Sequence, residues 1–470
     1  MEKQFEPITR ATLINVLGQT IKRDDINKLI TFLAMLSAYT EDSQLNISFN
    51  APSSSGKSFI PLEVARLFPK EDVIQVGYCS PTAFFHDVGE FNEDKQGYIV
   101  NLSKKILIFL DQPHTLLLQH LRPMLSHDKK EIQIKITDKG QKKGLKTKNI
   151  YLIGYPVVIF CSAGLNFDEQ EATRFLLLSP EINQDKIKEA IYEKIRKESA
   201  VSQYKDLVET DPQRIELLER LQAIKELNIK EIRIGSPAKK KIDELFFQRV
   251  NILKPRYQRD IGRILNLVKV FALLNVWDKK QIDGIVYADE SDVEEAFKLW
   301  DLISESQELS LPPYVLNLYK DVILLAYKEK NSESSGGVKL GLTRQEIMQK
   351  HFSVYGRFIP DWQLRQQILP MLETAGLIIQ EADSGDKRKI LISPTTLLTI
   401  SENQNNSEPQ GGVEPKETTI NQQKQDEPAS TSSQDPNPCY ACGGTKYWET
   451  KDGAVNCATC HPPASEEEGA

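Results

Sequence analysis

Apolar positions recur with a helical period over the first 44 residues, through Ile14, Leu17 and Ile21 and then Leu29, Phe32, Leu33 and Leu36. From residue 45 the pattern changes. Leu45, Ile47 and Phe49 read as a strand, a helical pattern runs from about Ser58 to Leu67, and strands and helices alternate to about residue 180. Two runs are apolar throughout, Ile106-Leu107-Ile108-Phe109-Leu110 and Val157-Val158-Ile159-Phe160-Cys161, as expected of strands covered on both faces. This alternation predicts an α/β core with a parallel sheet and crossover helices over 45–180, after an N-terminal helical segment at 1–44. Residues 181–305 read as almost entirely helical. Pro312 and Pro313 break the chain, and 314–400 form a small mixed domain. Residues 401–437 are rich in Glu, Asn, Gln, Ser, Pro and Thr, the composition of a disordered linker, and a cysteine-bearing module follows at about 438–463.

The segment between the first strand and its helix carries the most specific chemistry. Ala51-Pro52-Ser53-Ser54-Ser55-Gly56-Lys57-Ser58 has the spacing of a phosphate-binding loop, with Ala where the first Gly usually stands. Small residues let backbone N–H groups wrap a triphosphate, and a helix start adds a favourable dipole. Lys57 then reaches the outer phosphates, and the Ser58 hydroxyl completes a Mg²⁺ shell. The plainer reading is a Ser-rich turn that caps a helix; the flanking strand and helix favour ATP binding.

Three further positions bear on that site. Asp111 ends an apolar strand, where a carboxylate holds Mg²⁺ through water. Gln112 follows where a water-polarising Glu is common, and an amide orients water but is a poor base. Ser162 ends the second apolar strand, at the place of a γ-phosphate sensor, though an ordinary core strand ending in Ser is equally compatible. Arg174, in Glu171-Ala172-Thr173-Arg174-Phe175, is placed to stabilise transition-state charge in a neighbouring subunit or to sit solvated on the surface.

Charge must be read locally. The chain carries 59 Lys and Arg against 66 Asp and Glu, a net charge of −7, which gives no global nucleic-acid signature. Lysines nevertheless crowd one stretch. Glu131–Thr137 alternates with period two, Gln141-Lys142-Lys143-Gly144 reads as a turn, and Thr147–Leu152 returns, with Lys142, Lys143 and Lys146 near the tip. Such a hairpin can track a DNA backbone, or can be basic merely to stay soluble and avoid edge pairing. No run of about 18 apolar residues is present, and Met-Glu-Lys-Gln lacks a signal-peptide pattern, so a soluble, cytoplasmic protein without membrane contact is expected.

Cys79 and Cys161 are isolated and expected to be reduced. Cys439-x₂-Cys442 and Cys457-x₂-Cys460, fourteen residues apart, can place four thiolates around Zn²⁺, with Tyr447, Trp448 and Lys451-Asp452-Gly453 as a connecting hairpin. A redox pair is the alternative; two matched pairs favour structural zinc, whose binding supplies the folding energy of so small a module. Residues 314–400 resemble a winged helix. Thr343 and Glu346 open one helix as a capping box, Pro360-Asp361-Trp362 opens the recognition helix with Arg365, and 377–381 and 389–392 flank a basic wing tip at 384–388. Such domains bind DNA or protein.

The order of these parts over 45–305 resembles the AAA+ ATPases, and within them the minichromosome maintenance (MCM-like) helicases. Four features carry the likeness: the loop with Leu110-Asp111, the hairpin inserted before the sensor strand, Thr173-Arg174-Phe175, and a lid with Pro255-Arg256-Tyr257-Gln258-Arg259-Asp260-Ile261-Gly262-Arg263 followed by a helix and the acidic helix start at Asp289. The resemblance implies a parallel-sheet ATPase core with a helical lid, ATP and Mg²⁺ as ligands, and an oligomeric ring. Arg174 then acts in trans and Arg256 from the lid. DNA, single-stranded or forked, would thread the ring as the hairpin moves with hydrolysis, and a primase or other replication protein is an expected partner. Gln112 in place of Glu, Ser162 in place of Asn and the absence of a large N-terminal collar depart from the family. Gln112 leaves a second reading open, an ATP-binding, weakly hydrolysing scaffold or loader. A signalling NTPase with a winged-helix arm is a third, which needs no lysine hairpin.

Overall fold

Both fully apolar runs become central strands in the computed structural model, which describes residues 4–77, 80, 89–138, 146–163, 173–249, 252–332, 340–383, 385–395, 447–449 and 455–457. The chain divides into two units, Met1–Asn406 and Ser407–Ala470. In the first unit, helices α1 (Arg10–Gly18) and α2 (Asp25–Leu36) precede β1 (Ile47–Asn50), α3 (Phe59–Ala65) and β2 (Val73–Val76). After β3 (Glu90–Asn92) and β4 (Gly97–Asn101) come β5 (Ile106–Phe109), α4 (Thr115–Leu125), the hairpin β6 (Glu131–Asp138) and β7 (Lys146–Ile153), then β8 (Val157–Ser162) and β9 (Leu176–Leu178).

Strands β2, β5, β8, β1 and β9 form one sheet in that order, and every pairing is parallel. Ile47 lies opposite Ile159 of β8 and Leu176 of β9, so β1 is enclosed on both edges. Alternate residues feed two separate cores. Ile47, Phe49, Ile106, Ile108, Val157 and Ile159 join a cluster with Leu13 and Leu17 of α1, α2 and Ile60 of α3. Leu107, Phe109, Val158 and Phe160 join Phe175, Leu117 and Leu121 of α4, and Val100, Ile150 and Leu152. Two covered faces explain why the strands read as continuous apolar runs. The same clustering ties the N-terminal helices to the sheet.

The lysine hairpin has the expected antiparallel register, from Glu131 opposite Ile153 to Asp138 opposite Lys146, and its turn lies outside the described residues. It is not alone. A further hairpin, β3–β4, runs along it with β4 parallel to β7, giving a four-stranded sheet β3-β4-β7-β6.

Residues 181–305 contain the expected helices: α5 (Gln184–Ser199), α6 (Val201–Glu209), α7 (Pro212–Glu226), α8 (Ser236–Phe247), α9 (Tyr257–Leu274), α10 (Glu290–Asp301) and α11 (Ser304–Glu308). They also contain a small sheet, a correction to the almost entirely helical reading. Strand β10 (Glu231–Ile234) runs parallel to β12 (Ile285–Ala288), and β12 pairs antiparallel with β11 (Lys280–Ile282). The β11–β12 turn is Asp283-Gly284, at φ 53° and 79°, the conformation an Asp-Gly hairpin turn requires. That dipeptide was the legible signal.

A third core belongs to the C-terminal part of this unit. One helical run, α12 (313–332), packs with α13 (Arg344–Tyr355) and α14 (361–374), and strands β13 (Ile378–Ala382) and β14 (Ile390–Pro394) form an antiparallel hairpin. Leu342 bridges Ile392, adding a third short edge. Thr343 and Glu346 make the capping box: the Glu346 N–H donates to Thr343 Oγ1 and the Thr343 N–H to Glu346 Oε2. In the second unit, β15 (Tyr447–Glu449) pairs antiparallel with β16 (Val455–Cys457) where the short hairpin was expected. Among the described residues no helix is long and apolar enough to cross a membrane.

The acidic start of α10 is a second capping box. Asp289 accepts from the Ser291 and Asp292 N–H groups at 2.9 and 3.3 Å, and Lys279 Nζ lies 2.8 Å from its carboxylate. Burial pushes the Asp289 carboxyl up, but Lys279 and the Ser291 hydrogen bonds outweigh it and hold it down at about 2. A depressed carboxyl stabilises the fold above its unfolded value near about 4 and loses that contribution as pH falls towards about 2. Asp289→Ala is therefore expected to lower unfolding free energy by about 1 kcal/mol at neutral pH, and chemical unfolding at successively lower pH should show the gap to wild type closing below about pH 4.

Candidate functional site

The chain leaves the sheet at Asn50 with no backbone group of the edge wasted. The Ala51 N–H donates to Ser162 O at 3.3 Å, and Ser179 Oγ, just past β9, donates to Asn50 O at 2.6 Å. Ala51 and Pro52 are buried, which accounts for a small apolar residue at the first position of the loop. The loop then turns through left-handed conformations at Ser54 (φ 65°) and Gly56 (φ 91°). A Cβ at Gly56 would meet nothing within 4 Å, so it is the backbone conformation that calls for glycine there. Successive left- and right-handed residues make a concave nest of N–H groups suited to an anion.

Ser58 stands at the N-cap position of α3, and its side chain makes no capping hydrogen bond. Ser55 Oγ is buried without a hydrogen-bond partner, an arrangement that costs roughly 1–3 kcal/mol unless a further group meets it.

Asp111 and Gln112 lie just past β5, exposed, two strands from the loop and hence about 10 Å across the sheet. Asp111 Oδ1 accepts the Gln112 N–H at 2.8 Å. Ser162 Oγ donates to Gln112 Oε1 at 3.0 Å, so two of the residues singled out from sequence meet directly. Cys161 is buried between the two halves of the site, and its Sγ–H donates to Lys57 O at 3.3 Å. Burial pushes the thiol up to about 12; Lys57 pulls against that shift and Asp111 adds to it, so both charges act on the same sulfur. Cys161 is inert structure, in line with the sequence reading, and Cys79 lies outside the described residues.

Arg174 and Arg256 gather elsewhere. Arg174, half-buried in the turn before β9, donates from Nε to Ser126 Oγ at 2.7 Å at the end of α4. Arg256 donates to Asp260 Oδ2 at 3.2 Å and also bonds Ser310 Oγ. A residue with no role assigned from sequence connects them. Arg263 Nη2 donates to the carbonyls on both sides of Arg174, Thr173 O at 2.8 Å and Phe175 O at 2.9 Å, while Nη1 reaches Asp260 at 3.4 Å. Burial lowers the Arg263 guanidinium to about 10, Asp260 opposing, so it stays charged at neutral pH. Helix α9 thus fixes the backbone that presents Arg174.

Of the basic tip, Lys142 and Lys143 lie outside the described residues, and Lys146 is described by its backbone alone, as the first residue of β7. The sheet beneath the tip carries aromatics that sequence reasoning did not single out. Phe91 is 56% exposed and meets Tyr98 edge-on at 5.4 Å; Lys148 Nζ lies 5.3 Å from the Tyr98 ring centre, and Lys95 Nζ 5.0 Å from that of Tyr151. Cys439, Cys442 and Cys460 lie outside the described residues, and Cys457 is placed by its backbone on β16. Among the described residues no three His, Cys, Asp or Glu side chains are grouped to hold a metal. Comparison of the chain with protein-family models and with curated proteins finds no match.

Removing the Arg263 guanidinium would orphan two carbonyls and leave Asp260 buried with one partner fewer. Arg263→Met is expected to cost about 3 kcal/mol in urea unfolding, and Arg263→Lys to recover only part of it, since an ammonium cannot span both carbonyls and the carboxylate.

Proposed function

We propose that the chain is an AAA+ ATPase of MCM-like type, an ATP-driven DNA motor that works as an oligomeric ring, with a winged helix and a zinc ribbon at its C-terminal end. The observation that carries the reading is the strand order β2-β5-β8-β1-β9, which lines up the 51–58 loop, Asp111-Gln112 and Ser162 along one edge of a parallel sheet. The unpartnered, buried Ser55 hydroxyl in that loop fits a site built for a polyoxyanion. Lys57 and the loop amides would hold the phosphates, and Ser58 with Asp111 would hold Mg²⁺. The metal, when bound, neutralises developing charge on the phosphates. Gln112, oriented by Ser162, would position a water through its amide. Arg174, whose backbone α9 fixes, would serve a neighbouring subunit's phosphate, and Arg256 would act from the lid.

A second reading rests on the same pair. Gln112 spends its carbonyl oxygen on Ser162 and is a poor proton acceptor, which suits an ATP-binding scaffold or loader with slow turnover. DNA contact is supported by the lysines of the hairpin and by the exposed Phe91 beside Tyr98, where bases can stack. Zn²⁺ at Cys439, Cys442, Cys457 and Cys460 is supported by their spacing and by a hairpin between the pairs.

Steady-state ATP hydrolysis with and without single-stranded DNA separates these readings. A motor should show DNA-stimulated turnover that Lys57→Ala abolishes and that Arg174→Ala lowers by about 10³-fold while ATP binding persists. Binding without turnover under both conditions would favour the scaffold. Elemental analysis should find one zinc per chain, lost in the Cys442→Ser/Cys457→Ser double variant; a full complement of metal in that variant would sink the four-thiolate site.

A further inference from the structure

The 51–58 loop is held from outside by two cations that belong to other parts of the chain. Arg357 Nη1, from the turn after α13, donates to Ser53 O at 2.8 Å. Lys186 Nζ, in the first turn of α5, lies 3.5 Å from Ser55 O and is itself anchored by Glu181 O at 3.0 Å and by the Asp24 carboxylate. In a planar trans peptide the carbonyl and the next N–H point in opposite directions. Holding Ser53 O and Ser55 O from outside therefore turns the N–H groups of Ser54 and Gly56 away from the clamps. Ser54 needs such a hold, because a non-glycine residue in the left-handed region costs roughly 1–2 kcal/mol.

Arg357 is not an isolated surface side chain. Its carbonyl accepts from His351 Nδ1 at 2.8 Å. A carbonyl can only accept, so Nδ1 carries the proton and Nε2 is left to accept from the Tyr314 hydroxyl at 3.2 Å. The Tyr314 N–H donates to Ser179 Oγ at 3.0 Å, and Ser179 Oγ donates to Asn50 O at 2.6 Å, at the root of the same loop. The circuit runs from the start of the loop through the C-terminal helical module and back to the loop at Ser53.

We infer that Arg357 is a positioning residue of the nucleotide site, a latch through which the C-terminal module (residues 311–395) pre-organises the loop for a nucleoside triphosphate and through which that ligand tightens the module's docking. This rests on the reading of the loop as a phosphate cradle. A loop already fixed in its binding conformation loses less entropy when the ligand arrives. The guanidinium adds positive charge beside the polyanion. Coupling of this kind is reciprocal, so whatever Arg357 contributes to ligand affinity the ligand returns to the docking of α13.

The test uses the full chain, Mg-ATP as the probe, and two readouts: equilibrium affinity, and amide hydrogen exchange over 344–357 with and without ATP. Arg357→Ala is expected to weaken ATP binding about tenfold, with an unchanged melting temperature because the side chain is exposed; Arg357→Lys should restore part of the affinity. ATP should slow exchange over 344–357 in wild type and not in Arg357→Ala. Affinity in Arg357→Ala that is unchanged or tighter, or exchange over 344–357 that ignores ATP in wild type, overturns the latch. In that case Lys57→Ala still abolishes binding, and the cradle stands without it. Wild-type chain that binds no ATP removes the cradle and the latch together.

Discussion

The enclosure of β1 is the constraint from which the rest of the molecule follows. Its four residues pair in parallel with β8 on one edge and three of them with β9 on the other, and all four are buried. A strand so enclosed has no free face, and the chain leaves it at Asn50. Its neighbours then supply the first contacts of the emerging loop: Ser162 from the end of β8 accepts the Ala51 N–H, and Ser179 from just past β9 caps Asn50 O. The loop is held before any ligand is considered. In parallel sheets the strand ends on one edge converge, which is why Asp111, Gln112 and Ser162 share that edge with Lys57.

Buried charge supplies the second level of order. Arg263 is buried among Asp260 and two carbonyls, and taking a guanidinium out of water is tolerable only when its donors are matched. The matching is specific: no other side chain has a planar fork able to bond Thr173 O and Phe175 O while facing a carboxylate. The consequence is positional. The segment bearing Arg174 is tied to α9, and α9 packs through Ile264, Leu267 and Val268 into the core under the sheet. Helix α9 and the turn before β9 are thus joined by one side chain in addition to the core they share.

The C-terminal module is attached differently. Its core, built on Tyr319, Ile347, Leu364, Ile368 and Ile392, is separate from the two cores of the sheet. Ile182 and Leu309 pack against it, and polar ties run from the Tyr314 N–H to Ser179 Oγ, from Arg357 to Ser53 O and from Lys320 to Glu305. The module thus keeps a core of its own, whereas α9 shares its core with the sheet.

Much of this was legible in the residues alone. The continuous apolar runs at 106–110 and 157–161 identified strands covered on both faces, because only a doubly covered strand can dispense with alternation. The period-two hairpin and the capping box at Thr343 are local, each decided within a few residues by backbone conformation and hydrogen bonding, and each is found where the pattern places it. Asp283-Gly284 is equally local, but helical periodicity on either side masks it. Other features had no local signature. The pairing of β3–β4 with the lysine hairpin, the grip of Arg263 on both sides of Arg174, and the reach of Arg357 to a loop 304 residues earlier are contacts between segments whose sequences do not register one another. Sequence determined the elements, since helix, strand and turn are settled by neighbours along the chain. Tertiary structure decided which charged side chains hold the loop, since a guanidinium finds its carbonyl by position in space, and position is set by how separate cores pack.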